Sequence, residues 1–118
     1  MEYIKISASG NSFVLINNLG RLLEANSELA KGLCREENVD GLLLLEPTKG
    51  ADFRMRIFNP DGSEAEMCGN GARCVAWFAH SEGITGSTLE FKTIAGRMKA
   101  KKRSPETLQS LFTKKPPS

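Results

Sequence analysis

Cys68 is the residue in this chain whose setting best suits chemistry, because glycines frame it where a helix should begin. The residues that follow it are Gly69, Asn70 and Gly71, and an alanine-rich segment then predicts a helix over Gly71–Glu82. Packing gives no reason for glycines on both sides of Asn70, so we expect a sharp bend or a close approach to a ligand. Backbone N–H groups at a helix start would stabilise both a thiolate at Cys68 and a bound carboxylate. This arrangement predicts an enzyme that acts on an amino acid.

The other two cysteines lack such a setting. Cys34 lies near the end of an earlier predicted helix and Cys74 lies within the apolar helix, so we expect both to be small buried side chains. Cys68, Cys74 and His80 recur at six-residue intervals. Structural zinc sites place cysteines about two to four residues apart, so we expect no metal. The glycines beside Cys68 also lack the third glycine of a dinucleotide fingerprint and the Lys-Ser/Thr pair of a phosphate-binding loop.

Composition indicates one soluble globular domain. The chain has 118 residues, of which 40% are hydrophobic and 25% are charged, enough for a small core. The longest apolar run, Leu42–Leu45, is too short to span a bilayer, and the N-terminus has no secretion signal, so we expect no membrane partner. Three cysteines, an odd number, predict a reducing cytoplasmic location rather than a disulfide framework.

Charge is unevenly distributed along the chain. Residues 1–98 carry 10 Lys/Arg and 13 Asp/Glu, whereas residues 99–118 carry six and one. Only Phe112 lies among the basic residues as a candidate for stacking on bases, and the chain ends in Lys-Lys-Pro-Pro-Ser. We therefore expect a folded domain over residues 1–101, a basic and poorly ordered tail over residues 102–118, and no nucleic-acid partner.

Hydrophobic patterning predicts an α+β domain. Alternation over Phe53–Phe58 turns three large apolar side chains toward a core and two arginines toward solvent. Ser27 is the predicted cap of a helix over Glu28–Arg35. The remaining strands are predicted at Tyr3–Ser7, Phe13–Asn17, Leu42–Glu46, Thr88–Thr93 and Arg97–Lys101. Because the helix after Cys68 is apolar on most sides, we expect a mixed or antiparallel sheet wrapped around that one central helix.

Four motifs resemble the N-terminal half of diaminopimelate epimerase. They are Gly10-Asn-Ser-Phe-Val14, Asp40-Gly-Leu-Leu43, Phe53-Arg-Met-Arg-Ile-Phe-Asn-Pro-Asp-Gly-Ser-Glu64 and Met67-Cys-Gly-Asn-Gly-Ala-Arg-Cys74. The resemblance covers about residues 1 to 100 and is most specific from Phe53 to Cys74, where strand, turn, cysteine and helix start keep the family's order. The family's pseudosymmetric second half, with its own helix-start cysteine, has no counterpart here. We therefore expect a first-half fragment, as a frameshifted or truncated gene would produce.

The resemblance implies a cofactor-independent isomerase that interconverts LL- and meso-diaminopimelate in lysine and peptidoglycan biosynthesis. In that family one cysteine, as a thiolate, removes the Cα proton, while a second, as a thiol, protonates the opposite face. Neither a metal nor pyridoxal phosphate takes part. Cys68 matches the first of these cysteines. Asn11 and Asn59 match substrate-contacting asparagines, and Gly69 and Asn70 match the groups that hold the α-carboxylate.

Departures from the family pattern leave alternatives open. The family usually has Asp where this chain has Ser12, and some members have Gln at the position of Gly41. Taken alone, Asn11 and Asn59 could simply be turn residues. One alternative function is a related isomerase, similar to those of phenazine biosynthesis, that acts on another small acid. Another is a non-catalytic binding or assembly module in which the domain pairs with itself or with a partner chain. Self-pairing in a homodimer would place two Cys68 thiols face to face.

Overall fold

The structure is a computed structural model that describes residues 2–21, 23–86, 88–101 and 113–115. Its strands are β1 Tyr3–Ala8, β2 Asn11–Asn17, β3 Gly41–Glu46, β4 Phe53–Phe58, β5 Glu64–Ala65, β6 Thr88–Thr93, β7 Gly96–Lys101 and β8 Thr113–Lys115. Its helices are α1 Ser27–Glu37 and α2 Gly69–Ser81. Every predicted strand and helix is present, with ends shifted by a residue or two. The short strands β5 and β8 lie outside the sequence-based prediction.

The strands form one mixed sheet. Their order across the sheet is β7-β6-β4-β3-β2-β1-β8, and β5 pairs with β4. β2 runs parallel to β3, and β4 runs parallel to β6. The other neighbouring strands are antiparallel. The predicted α+β class with a mixed sheet is confirmed.

The sheet buries apolar side chains on both faces. Along β3, Leu43 and Leu45 belong to the cluster around α2, whereas Leu42 and Leu44 belong to the cluster around α1. Burial on both faces explains why β3 is a continuous run of leucines rather than an alternating strand. Residues of β1, β2, β4 and β6 join Leu43 and Leu45 around α2, so the sheet wraps this helix as predicted.

Strand β4 shows the predicted alternation. Phe53 and Met55 are buried in the cluster around α2. Arg54 is exposed and Arg56 is half-buried on the opposite face. The Phe53 ring stacks on Phe91 of β6, with ring centroids 5.2 Å apart and planes 3° apart. This stacking joins β4 to β6 on the face that packs on α2.

Helix α1 is capped by Asn26, so the prediction of Ser27 as the cap was wrong. Asn26 has extended backbone, with φ −149° and ψ 172°, and its Oδ1 accepts a hydrogen bond from the Leu29 N–H at 2.9 Å. Asn and Ser are both favoured caps, and here they are adjacent, so residue type alone does not choose between them. At the other end, Asn38 has a left-handed φ of 54° and donates its backbone N–H to the Cys34 carbonyl.

The C-terminal tail is described only in part. The domain boundary at residue 101 and the poorly ordered tail stay predictions, because residues 102–112 and 116–118 lie outside the described residues. Thr113–Lys115 are described, and they pair antiparallel with β1. Within the described ranges, no helix is long and apolar enough to cross a membrane.

Candidate active site

Cys68 is the N-cap of α2, which begins at Gly69 rather than at the predicted Gly71. Its backbone is extended, with φ −143° and ψ 118°, and its carbonyl accepts a hydrogen bond from the Ala72 N–H at 2.8 Å. Its Sγ accepts a hydrogen bond from the Gly71 N–H, with an N–S distance of 3.5 Å. The sulfur therefore takes the capping role that Ser, Thr, Asp or Asn oxygens usually have.

The backbone N–H groups of Gly69 and Asn70 lie in the first turn of α2. At these positions helix geometry provides no acceptor within the helix. The next N–H group, that of Gly71, is donated to the Cys68 sulfur. N–H groups at the positive end of a helix bind carboxylates and other anions. A carboxylate bound there would lie beside the Cys68 thiol.

Gly69 and Gly71 have different structural roles. A Cβ at Gly71 would lie 3.0 Å from Leu43 Cδ2 and 3.7 Å from Cys68 Sγ, so α2 packs closely against β3 at this position and an alanine there would press on Leu43. The expectation that packing gives no reason for these glycines was therefore wrong for Gly71. A Cβ at Gly69 would meet no described atom within 4 Å. The described fold thus leaves open space beside Gly69, in the first turn of α2.

Asn11 lies against the first turn of α2. It begins β2, directly after the two turn residues Ser9 and Gly10. Both have positive φ, 50° and 85°, as a two-residue type I′ hairpin turn requires. Asn70 Nδ2 donates a hydrogen bond to Asn11 Oδ1. Arg73 Nη1 donates another to Ser9 Oγ at 3.1 Å. These two bonds hold the β1–β2 hairpin against α2 and place Asn11 at the same end of the helix as the capping thiol.

Asn59 is held by the turn that follows β4. Its Nδ2 donates to Ser63 Oγ at 3.0 Å, and its backbone N–H donates to the Ser63 carbonyl at 2.8 Å. Asp61 Oδ1 accepts hydrogen bonds from the Ser63 hydroxyl at 2.6 Å and from the Ser63 N–H at 2.9 Å. These bonds from Ser63 lower the pKa of the Asp61 carboxyl. Asn59 is thus fixed in its own turn, whereas the other predicted site residues meet at the start of α2.

The three thiols differ in burial. Cys34 and Cys74 are buried, whereas Cys68 is partly exposed. Burial raises the pKa of Cys74 to about 12, with a smaller contribution from the nearby Cys68. Burial, followed by the Asp40 carboxylate, also raises the pKa of Cys34. Because the thiolate and not the thiol accepts a proton, the raised pKa values make Cys34 and Cys74 poorly suited to act as a base.

The positions that depart from the family pattern have local structural roles. A Cβ at Gly41 would lie 3.0 Å from the Phe58 carbonyl oxygen and 3.2 Å from Phe13 Cδ1, so a longer side chain would crowd β4 and β2 there. Ser12 donates its backbone N–H to Asp40 Oδ2 at 2.8 Å. Gly41 thus packs closely where β3 starts, and the Ser12 backbone N–H, which an Asp could donate as well, joins the start of β2 to Asp40.

Two supporting residues have no role in the sequence-based prediction. Arg73 is three residues after Asn70 and so lies on the same side of α2, a spacing that could have indicated a shared contact. Leu43 gave no such signal, because only the fold brings β3 against Gly71. Among the residues that the structure describes, no group of three or more His, Cys, Asp or Glu side chains is placed to hold a metal ion.

Comparison with known proteins decides the family. A family model described as diaminopimelate epimerase matches residues 3–114. The chain belongs to the diaminopimelate epimerase family. The match continues past residue 101, so the resemblance extends further toward the C-terminus than its sequence motifs indicated.

Curated diaminopimelate epimerases are similar in sequence but much longer. That of Desulforudis audaxviator is 48% identical over 101 residues, which cover 81% of this chain and 36% of the relative. That of Nitratiruptor sp. is 43% identical over 117 residues, which cover 97% of this chain and 46% of the relative. The chain therefore spans less than half the length of these diaminopimelate epimerases.

Solved structures share the fold. A phenazine biosynthesis protein from Bacillus anthracis has a TM-score of 0.73 at 19% identity, covering 95% of this chain and 39% of that one. A hydroxyproline epimerase from Agrobacterium vitis, with bound trans-4-hydroxy-L-proline, has a TM-score of 0.61 at 17% identity. The match covers 84% of this chain and 36% of that epimerase. These identities show the fold alone. The phenazine-type alternative is thus less well supported than diaminopimelate epimerase, whose members are similar in sequence.

Proposed function

We propose that this chain supplies one catalytic half of a diaminopimelate epimerase, acting in the cytoplasm in lysine and peptidoglycan biosynthesis. The observation that carries the proposal is the Cys68 thiol at the N-cap of α2, beside the N–H groups of Gly69 and Asn70. Diaminopimelate is an α-amino acid, so its α-carboxylate has the charge that these N–H groups bind. Membership of the family supports the choice of substrate.

In the proposed reaction Cys68 acts on the hydrogen at Cα. The α-carboxylate binds the N–H groups of Gly69 and Asn70, which brings Cα next to the sulfur. The Cys68 thiolate takes the Cα proton, and the electron pair left on carbon is delocalised into the carboxylate. An acid on the opposite face then delivers a proton to Cα and inverts its configuration. Hydrogen bonds to the carboxylate oxygens strengthen as their charge grows, which lowers the barrier.

Two asparagines are proposed to orient the substrate at this site. Because Asn70 Nδ2 donates to Asn11 Oδ1, the pair still offers an amide donor on Asn11 and a carbonyl acceptor on Asn70. These groups suit the carboxylate and the ammonium of an amino acid. Asn59 is proposed as a third contact, and its amide has a second N–H beyond the one that binds Ser63. As the family resemblance implies, the proposed reaction uses neither a metal nor pyridoxal phosphate.

The opposing acid is proposed to come from a second half of the enzyme. A homodimer of this chain, with two Cys68 thiols face to face, is one such arrangement and stays a prediction. The chain spans 36% and 46% of two full-length relatives, so two copies are comparable in size with one relative. Light scattering during size-exclusion chromatography would test the homodimer, and strictly monomeric protein would contradict it.

Protection from alkylation tests the proposed site. Iodoacetamide should label Cys68 well before the buried Cys34 and Cys74, and peptide mass spectrometry can follow each thiol separately. Diaminopimelate should slow the labelling of Cys68, and it should do so equally in Cys74→Ser. The matched control ligand is 1,5-diaminopentane, which is diaminopimelate without its two carboxylates. Equal protection by both compounds, or no protection by diaminopimelate, would contradict a carboxylate site beside Cys68.

A further inference from the structure

A cavity of about 880 Å³ lies at the end of the sheet where β2 and β3 finish and β4 begins. Asn18, Glu46 and Arg54 are among the residues that line it. Cys68 lies at the other end of the sheet, next to Asn11 at the start of β2. The cavity is therefore separate from the candidate active site.

Positive charge dominates the lining of this cavity. Its cationic residues are Arg21, Lys49, Arg54, Arg56 and Lys92, and its carboxylates are Glu24 and Glu46. Acidic residues outnumber basic residues over residues 1–98 as a whole. The cavity is therefore a local concentration of positive charge on a mildly acidic domain, and such a concentration attracts anions.

Glu46, the more buried of the two carboxylates in the lining, already has partners. Glu46 Oε1 lies 3.6 Å from Arg56 Nη1, and Glu46 Oε2 accepts a hydrogen bond from Asn18 Nδ2 at 3.2 Å. Arg56 also donates two hydrogen bonds to Glu64, at 2.8 and 3.0 Å. The hydrogen bonds between Arg56 and Glu64 raise the pKa of Arg56 and lower the pKa of Glu64. Arg56 is thus shared between two carboxylates, and the four other cations of the lining, Arg21, Lys49, Arg54 and Lys92, have one further lining carboxylate, Glu24.

Arg54 and Lys92 are like charges in register on the parallel strands β4 and β6. The preceding pair, Phe53 and Phe91, stacks on the face toward α2, so alternation turns Arg54 and Lys92 toward the cavity. The Lys92 ammonium donates to the Lys49 carbonyl, a neutral acceptor that holds it in place. Within the part of the chain that the structure describes, the Arg54 guanidinium forms no ion pair within about 4 Å, although its charge is one of the smaller causes that lower the pKa of Glu64. On the other side of β4, Arg54 is in register with Glu46, whose oxygens already contact Arg56 and Asn18. An anion between Arg54 and Lys92 would offset the repulsion between these two like charges.

We propose that this Arg54–Lys92 cavity binds a small phosphate-bearing molecule whose oxygens bridge the two cations. A guanidinium can bind two phosphate oxygens at once through its planar fork of N–H groups, and the ammonium adds a point charge. The volume is that of a small-molecule site. No aromatic side chain is among the described residues that line the cavity, so stacking of nucleic-acid bases has no support there. The proposal is independent of the activity proposed for Cys68.

Calorimetric titration of the 118-residue chain with pyrophosphate, at constant ionic strength, tests the cavity. Arg54→Gln and Lys92→Gln should each weaken binding by about tenfold or more, the effect of losing one hydrogen bond between charged groups. Lys99→Gln removes the same charge from β7, outside the cavity lining, and should leave the Kd unchanged. Equal weakening by Lys99→Gln, unchanged binding by Arg54→Gln, or no binding of pyrophosphate to the unsubstituted chain would overturn the proposal.

Thermal unfolding separates a binding role from a structural one. Without pyrophosphate, the Tm of Arg54→Gln measures the structural effect of losing a guanidinium that is in register with both Lys92 and Glu46. Pyrophosphate should raise the Tm of the unsubstituted protein and of Lys99→Gln, but much less that of Arg54→Gln. An equal pyrophosphate-induced rise in the Tm of Arg54→Gln would show that this guanidinium does not bind the anion and would also overturn the proposal.

Discussion

Replacing Gly71 with alanine should destabilise the protein, whereas the same change at Gly69 should not. At Gly71 the new Cβ would lie 3.0 Å from Leu43 Cδ2, closer than ordinary van der Waals contact. Leu43 is fully buried in the cluster around α2, so its methyl group has little room to move away. At Gly69 the new Cβ would meet no described atom within 4 Å.

Two free-energy contributions set the size of the effect. Alanine is favoured over glycine in a helix by about 0.5–1 kcal/mol, and both substitutions gain this contribution. Inserting a methyl group into a close-packed core costs about 1–3 kcal/mol, and only Gly71→Ala incurs that cost. The free energies of unfolding of the two variants should therefore differ by about 1–3 kcal/mol. Gly69→Ala should be the more stable variant, and it should be at least as stable as the unsubstituted protein.

Urea denaturation followed by the fluorescence of Trp77, the single tryptophan, measures this difference. A Leu43→Ala background provides the matched control, because it removes the methyl group that the new Cβ would strike. In that background Gly71→Ala should no longer destabilise. If Gly71→Ala proves as stable as Gly69→Ala, or destabilises equally in both backgrounds, close packing against Leu43 is not the reason for this glycine.

Three further predictions concern turns, a cap and pH. Gly62→Ala should lower the free energy of unfolding by about 2–4 kcal/mol, because its Cβ would lie 2.8 Å from Ser27 Cβ at a φ of 91°. Gly83→Ala, at a φ of 72° in open space, should cost only about 1 kcal/mol in the same denaturation assay. Asn26→Ala should cost about 1 kcal/mol, and Ser27→Ala should cost much less, because Asn26 caps α1. The Tyr3 hydroxyl donates a hydrogen bond to Glu37 of α1, and this bond is the main cause that raises the pKa of Tyr3 from 10.0 to about 12. This contribution to stability is complete below pH 10 and is lost as the pH rises toward 12, and alkaline denaturation of Tyr3→Phe should lack this loss.

Strongly patterned segments could be predicted from the sequence, whereas element ends could not. The alternating residues of β4 match a strand that is buried mainly on one face. The continuous leucines of β3 match a strand that is buried on both faces. The start of α2 was placed too late, because glycines at 69 and 71 are weak helix formers. In the fold, capping by Cys68 and contact with Leu43 outweigh that local preference.

Contacts between distant parts of the chain account for what the sequence did not reveal. The local run around Cys68 indicated the thiol and its helix start, but the bond from Asn70 to Asn11 joins residues 59 apart in sequence. It depends on where the β1–β2 hairpin lies against α2. The Arg54–Lys92 pair likewise depends on β4 and β6 being neighbours in the sheet, although β5 and α2 separate them along the chain.

Deuterium exchange at the Cα of diaminopimelate is the decisive measurement for the role of Cys68. The chain would be incubated in D₂O with LL- or meso-diaminopimelate, alone and together with the separately expressed remainder of the Nitratiruptor relative. We predict that the chain catalyses deuterium exchange at Cα. The Cys68→Ser variant should lose this exchange, and the Cys74→Ser variant should largely keep it. Equal exchange with and without the Cys68 thiol, equal loss from both variants, or no exchange by the folded chain with the relative's second half would contradict the assignment of Cys68 as the base.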